Sequence, residues 1–191
     1  MAAKTLWRSL TMTATLCAAL LLPLPARAAP ARSVSPVTLP NVTLVNQDGQ
    51  RVQLPTLVDP AKPALVQFVF TTCQAICPVL ATSFANLQKS LGKAGEQTTL
   101  LSVSLDPDND TPKIGRAWLK RFHAHGNWQF LTGSLADVTQ VTKAFQAFTE
   151  DKMTHAPLTF LWSPHEKAWV RLSGFVSNAE LLAEYRQAVA P

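Results

Sequence analysis

An α/β domain built on a central mixed sheet is what this sequence predicts, and three observations carry that prediction. Residues 64–70 form a near-continuous apolar run, the pattern of a strand covered on both faces. A segment of helical period follows, with Val79, Leu80, Phe84, Leu87 and Leu91 on one face. Residues 98–105 then supply a second buried strand, so strand, helix and strand succeed one another as in a parallel crossover unit.

The remaining elements read off in order. Residues 42–45 and 51–54 flank Asn46-Gln47-Asp48-Gly49, and the Asp-Gly pair signals a β-hairpin. Gly92 closes the first helix. Asp110-Thr111-Pro112 opens a second helix to about residue 124, with Asp110 as the capping acid and Pro112 where the first turn tolerates it. Residues 128–131 are a short strand. Ser134 caps a helix over 134–148, whose apolar face is Leu135, Val138, Val141, Phe145 and Phe148. A second hairpin joins 157–162 to 169–172 across Ser163-Pro164-His165-Glu166, and 177–189 is the closing helix. This order describes a thioredoxin-like fold: a mixed central sheet flanked by helices, preceded by an N-terminal β-hairpin.

Not all 191 residues belong to that domain. Lys4 and Arg8, the apolar run from Leu10 to Leu24 and the small-x-small site Ala26-Arg27-Ala28 make residues 1–28 a secretory signal peptide. The alternative is a membrane anchor over 10–24, although a spanning helix needs about 20 apolar residues. Residues 29–40, rich in Ala, Pro and Ser, read as a flexible lead-in, and 41–190 as the domain. Losing Lys4, Arg8 and Arg27 with the signal, and no acid, lowers the net charge from +5 to +2. The basic pI is therefore largely a property of the leader, and no basic cluster argues for nucleic acid. The expected location is the periplasm or another exported compartment.

Cys17 lies inside the apolar run and would leave with the signal, so the exported product keeps Cys73 and Cys77 alone. A disulfide between residues four apart closes a very short loop and constrains the unfolded chain little. Redox or metal chemistry explains the pair better than stapling does. Cysteines at i and i+4 on the first turn of a helix point the same way, and the helix N-terminus favours the thiolate, which is both nucleophile and metal ligand. Two thiolates leave a copper ion under-coordinated. Among the histidines, His123 and His125 fall at a helix end and His165 in a hairpin turn, all read as uninvolved. His155 precedes the strand at 157–162, and in a thioredoxin-like domain that loop packs against the cysteine turn.

With those residues placed, the chain resembles the Sco/SenC family of copper-binding, thioredoxin-fold proteins over about residues 37–190. The resemblance rests on Cys73-xxx-Cys77-Pro78, on Val103-Ser-Leu-Asp106-Pro-Asp-Asn-Asp110-Thr-Pro112, on Leu131-Thr-Gly133-Ser, and on His155 ahead of Thr159-Phe-Leu. It implies Cys73, Cys77 and His155 as ligands of one copper, Cu(I) or Cu(II). It further implies a metallochaperone for the copper centre of cytochrome c oxidase or a related enzyme, with a copper-receiving, membrane-embedded client such as oxidase subunit II. Soft thiolates suit Cu(I) and imidazole suits Cu(II) as well, in agreement. The Asp106–Pro112 segment is read as a turn and cap, not as a ligand set.

This chain departs from the family pattern at several points. Ala75 stands where an acid is common two residues before the second cysteine, and Thr154 where an Asp commonly precedes the histidine. Both changes remove negative charge from around the metal, and a carboxylate behind an imidazole orients it. The stretch between Phe148 and His155 is short. Pro157 stands where thioredoxin-like thiol oxidoreductases keep a cis-proline, which raises thiol–disulfide reduction through the redox-active pair Cys73 and Cys77 as the alternative function. On that reading the Ala156–Pro157 bond is a candidate for cis.

Overall fold

In a computed structural model the described residues are 30–190, and they form one eight-stranded sheet with helices on both faces. The expected signal peptide, Cys17 and the anchor alternative lie outside them. The strands are β1 (Ala31–Ser35), β2 (Thr43–Asn46), β3 (Arg51–Gln53), β4 (Ala64–Val69), β5 (Thr99–Ser104), β6 (Trp128–Thr132), β7 (Leu158–Ser163) and β8 (Ala168–Ser173). The helices are α1 (Ile76–Leu91), α2 (Lys93–Gln97), α3 (Pro112–Arg121), α4 (Leu135–Ala144) and α5 (Asn178–Ala188). Strand order is β1-β8-β7-β4-β5-β6-β2-β3, with β4, β5 and β6 mutually parallel and every other pair antiparallel. The expected mixed sheet, the N-terminal hairpin and the crossover unit are all present. Among the described residues no helix is long and apolar enough to cross a membrane.

β4 lies inside the sheet and is buried along its whole length, which is why its sequence shows no polar alternation. Its side chains nonetheless serve two cores. Leu65 and Val69 pack with Leu80, Phe84 and Leu87 of α1 and Leu181 of α5. Val66 and Phe68 pack with Val138, Val141 and Phe145 on the α4 side. Both cores hold the carboxyl end of β4 rigidly, and that end leads directly into the cysteine turn.

Five boundaries differ from expectation. Residues 31–35, expected within a flexible lead-in, are strand β1, paired antiparallel with β8 from Ala31↔Ser173 to Ser35↔Trp169. Arg32 ties this strand to Glu184 and Glu166. The Ala-, Pro- and Ser-rich composition suggested a loop, but β8 would otherwise present an open edge, and pairing supplies what composition lacks. The cap of α3 is Thr111, whose hydroxyl accepts from Ile114 N–H at 3.4 Å; Asp110 is engaged elsewhere.

α3 and α4 both stop earlier than their apolar periods. His123 and Gln146 adopt left-handed φ of 55° and 52°, and the N–H groups of Ala124 and Ala147 reach back to Leu119 and Thr142. These are helix-ending αL turns built without glycine. Phe148, expected on the buried face of α4, lies beyond that stop and is exposed; Leu135, in the first turn of the helix, is exposed as well. Finally, the chain re-enters a short helix, α2, after Gly92.

Candidate metal centre

The cysteine turn begins where β4 ends. Cys73 N–H bonds back to Phe70 carbonyl at 3.1 Å, turning the chain. α1 starts at Ile76, so Cys77 is its second residue and Pro78 its third, where a missing N–H costs nothing. Cys73 therefore precedes the helix and does not share its first turn, as the i, i+4 spacing suggested. The reason lies in the cap. Ala75, the N-cap, has no side-chain acceptor. The Cys73 sulfur fills that role, accepting from Cys77 N–H at 3.4 Å. The sulfur is thus held at the positive end of the helix.

The turn is pinned from the other side by Asp110, which is fully buried. Its carboxylate accepts from the backbone N–H of Thr71 at 3.2 Å, from the Thr71 hydroxyl and from the Ser104 hydroxyl at 2.7 Å. Asp110 thereby fastens the start of the cysteine turn to the end of β5.

His155 enters from the connection between α4 and β7. Its ring is buried and stands edge-on to Phe70, with centroids 5.4 Å apart. Nδ1 lies 2.8 Å from the Lys152 carbonyl, which can only accept, so Nδ1 carries the proton. Nε2 is then a free lone pair, 3.5 Å from Cys77 Sγ. Among the described residues this is the one group of three or more His, Cys, Asp or Glu side chains placed to hold a metal ion. The ligand atoms of Cys73, Cys77 and His155 lie within 4.8 Å of one another. Bonds of about 2.0–2.3 Å from one ion to sulfur and nitrogen would span that group with a small inward movement.

The two thiols, both free, differ in character. Burial works to raise the Cys73 pKa, but the N–H of Cys77, the Cys77 thiol and the N–H groups of Ala75 and Ile76 outweigh it, holding Cys73 below the ordinary thiol range. Burial pushes the Cys77 thiol far up; the Phe70 N–H at 3.4 Å opposes this, while the Cys73 sulfur and the Asp110 charge add to it. The sequence argument that the helix end activates the pair thus holds for Cys73 alone. Burial lowers the His155 pKa, against the Lys152 carbonyl that raises it, so the imidazole is neutral at pH 7. At that pH iodoacetamide is expected to label Cys73 at least about tenfold faster than Cys77, because the thiolate is the nucleophile. Peptide mapping of a time course checks this; equal rates would refute the asymmetry.

The other histidines are elsewhere, as expected. His123 forms the αL stop of α3, His125 offers its carbonyl to Gln88, and His165 sits in the β7–β8 turn. The Ala156–Pro157 bond is trans, which withdraws the proline argument for a thiol-exchange platform. Sequence reasoning passed over the supports, Asp110 with Thr71 and Ser104, and Lys152 with Asp106. The Asp106–Pro112 motif was the signal that could have found them.

Comparison with known proteins follows the same lines. The SCO1/SenC family model matches residues 33–190. The SCO1 protein homolog of Bacillus subtilis is 35% identical over 137 residues, covering 65% of this chain and 68% of that protein. The solved structure of BsSco, described with a disulfide switch and as a member of the Sco family of cytochrome c oxidase assembly proteins, is 28% identical. Its TM-score is 0.63, over 82% of this chain and 95% of that one. Copper-bound ScoI of Bradyrhizobium japonicum superposes with TM-score 0.61 at 23% identity, over 77% of this chain and 96% of that one, a likeness that speaks for the fold.

Proposed function

Because the chain belongs to the SCO1/SenC family, we propose that it is a copper metallochaperone, exported from the cytoplasm, that serves assembly of the copper centre of cytochrome c oxidase or a related copper enzyme. The observation that carries this reading is the convergence of Cys73, Cys77 and His155 at one point. Two thiolates and one neutral imidazole can hold Cu(I) or Cu(II). Three protein ligands leave a coordination position for an incoming ligand from a client, which suits transfer better than storage. Cys77 and His155 are buried while Cys73 is partly open, so a client's donor would approach from the Cys73 side.

His155→Ala is expected to weaken copper binding at least tenfold, roughly 1.4 kcal/mol or more. His165→Ala and His123→Asn, the latter keeping a residue that tolerates positive φ, are expected to leave it unchanged. Titration against a competing chelator checks all three. Equal losses in the three variants would refute the ligand assignment.

A second reading, thiol–disulfide exchange with a client's cysteines, has one observation in its favour: the unequal thiols. Cys73 is suited to attack a client disulfide, releasing one client thiolate and forming a mixed disulfide. Cys77 would then displace the second client thiolate and close the Cys73–Cys77 disulfide, losing its proton as it attacks. The disulfide reduction potential, measured beside copper affinity, separates the readings. Weak or sub-stoichiometric copper with a thioredoxin-like potential would favour exchange.

A further inference from the structure

Beyond Ala147, which packs against the core on the α4 side, the connection that delivers His155 is poorly anchored by packing. From residue 146 to residue 154 no side chain is buried; Phe148 is 46% exposed and Met153 68%. Beneath the connection lies a cavity of about 630 Å³, lined by Leu105, Val138 and Thr142 on the body and by Phe148 to Lys152 on the connection itself. Thr149, Asp151 and Thr154 bond mainly to one another, stiffening the segment without fastening it to the domain. Gln146 carbonyl accepts from Arg171 at 3.5 Å, at the far end from His155.

One side chain crosses to the body beside the metal-binding cluster. Lys152 Nζ lies 2.6 Å from Asp106 Oδ2 and 5.6 Å from the Phe70 ring centroid, the same ring that His155 meets edge-on. Asp106 is itself fixed, accepting from Asn109 Nδ2 at 2.9 Å, with its backbone N–H bonded to the Ser104 hydroxyl. The residue that makes this crossing also supplies the carbonyl that holds His155 Nδ1–H at 2.8 Å. An ion pair this close, partly shielded from water, has the geometry that surface pairs usually lack.

We propose that Lys152 and Asp106 are positioning residues for the histidine ligand: the ion pair holds the Lys152 carbonyl in place, and that carbonyl fixes the imidazole with Nε2 facing the thiols. The pair thereby takes over the orienting work that a carboxylate next to the histidine would do, at a site where this chain has Thr154. The proposal rests on the copper reading for its consequence, but the orientation exists in the metal-free protein and can be read there.

The test uses the reduced mature protein and the variants Lys152→Met, Asp106→Asn, Lys152→Arg and the exchanged pair Asp106→Lys/Lys152→Asp. Nitrogen-15 NMR of the imidazole, without metal, is expected to show the Nδ1–H form in the parent protein and in Lys152→Arg. Lys152→Met and Asp106→Asn are expected to give a mixture of tautomers. Their thermal midpoints should stay within a few degrees of the parent, and copper affinity should fall about three- to tenfold with unchanged stoichiometry. The exchanged pair is expected to recover at least part of both losses. An unaltered tautomer and unaltered affinity in Lys152→Met would overturn the proposal, as would equal losses in Lys152→Arg. Loss of the Nδ1–H form in Lys152→Met, in a parent protein that held no copper, would support positioning and refute the copper reading separately.

Discussion

Oxidising Cys73 and Cys77 to their disulfide is expected to abolish copper binding, lowering affinity by more than a thousandfold, roughly 4 kcal/mol. On the proposed ligand set the donors are two thiolates, and joining the sulfurs removes both anionic donors at once, leaving one neutral imidazole. The two sulfurs lie within 4.8 Å of one another, so the bond can form without unfolding the domain, and such a small ring adds little stability. The change is therefore local to the site. Copper loaded beforehand should protect both thiols from alkylation, Cys73 most visibly, since it is the more reactive in the free protein. Chelator competition on reduced and oxidised samples, with thiol counts confirmed by mass, measures the effect. Cys73→Ser with Cys77→Ser should match the oxidised protein. An oxidised sample that held copper as tightly as the reduced one would remove the sulfurs from the site.

If the disulfide form cannot hold the metal, copper loading and client exchange compete for the same two sulfurs. The unequal thiols then have a meaning in both activities. Cys73 is partly exposed and held low by the N–H groups around it, so on the proposed function it is the sulfur that a client would meet first. Cys77, fully buried and pushed high by that burial, gives up its proton only when a metal or a mixed disulfide makes this favourable. A copper ion arriving at neutral pH must displace that proton, so binding should release acid and tighten as pH rises.

The features legible in the sequence were those governed by periodicity and by chemical scarcity. The near-continuous apolar run at 64–70 reads as an interior strand, and β4 is one. With Cys17 assigned to the leader, two cysteines remained to pair. Topology then selected His155 from four histidines, and the structure brings these same three side chains together. What escaped depends on partners distant in sequence. β1 exists because β8 offers it an edge, which the Ala- and Pro-rich composition of 29–40 conceals. The ends of α3 and α4 are set by His123 and Gln146 in a conformation usually given to glycine, so the apolar periods run on past the true stops. Lys152 looked like a solvated charge because its counter-ion, Asp106, lies on another connection.

Asp110→Ala is expected to cost about 3 kcal/mol of folding stability and to weaken copper binding together with it. The carboxylate is fully buried and accepts from Thr71 N–H, Thr71 Oγ1 and Ser104 Oγ. Truncation leaves these donors without their acceptor, and a buried unsatisfied group costs about 1–3 kcal/mol. Partial relaxation and entry of water keep the total below a simple sum. The effect should reach the site because Thr71 stands two residues before Cys73, at the point where the chain leaves β4. With that anchor gone, the Cys73 sulfur loses its fixed place over the start of α1. Asp110→Asn keeps the volume and one acceptor oxygen but turns an N–H₂ group toward donors, so its loss should be intermediate. Urea unfolding of the reduced protein, read beside copper titration under native conditions, measures both consequences. A stability change under about 1 kcal/mol for the alanine variant, with copper affinity intact, would show that the cysteine turn is held by its own backbone hydrogen bonds and not by this carboxylate.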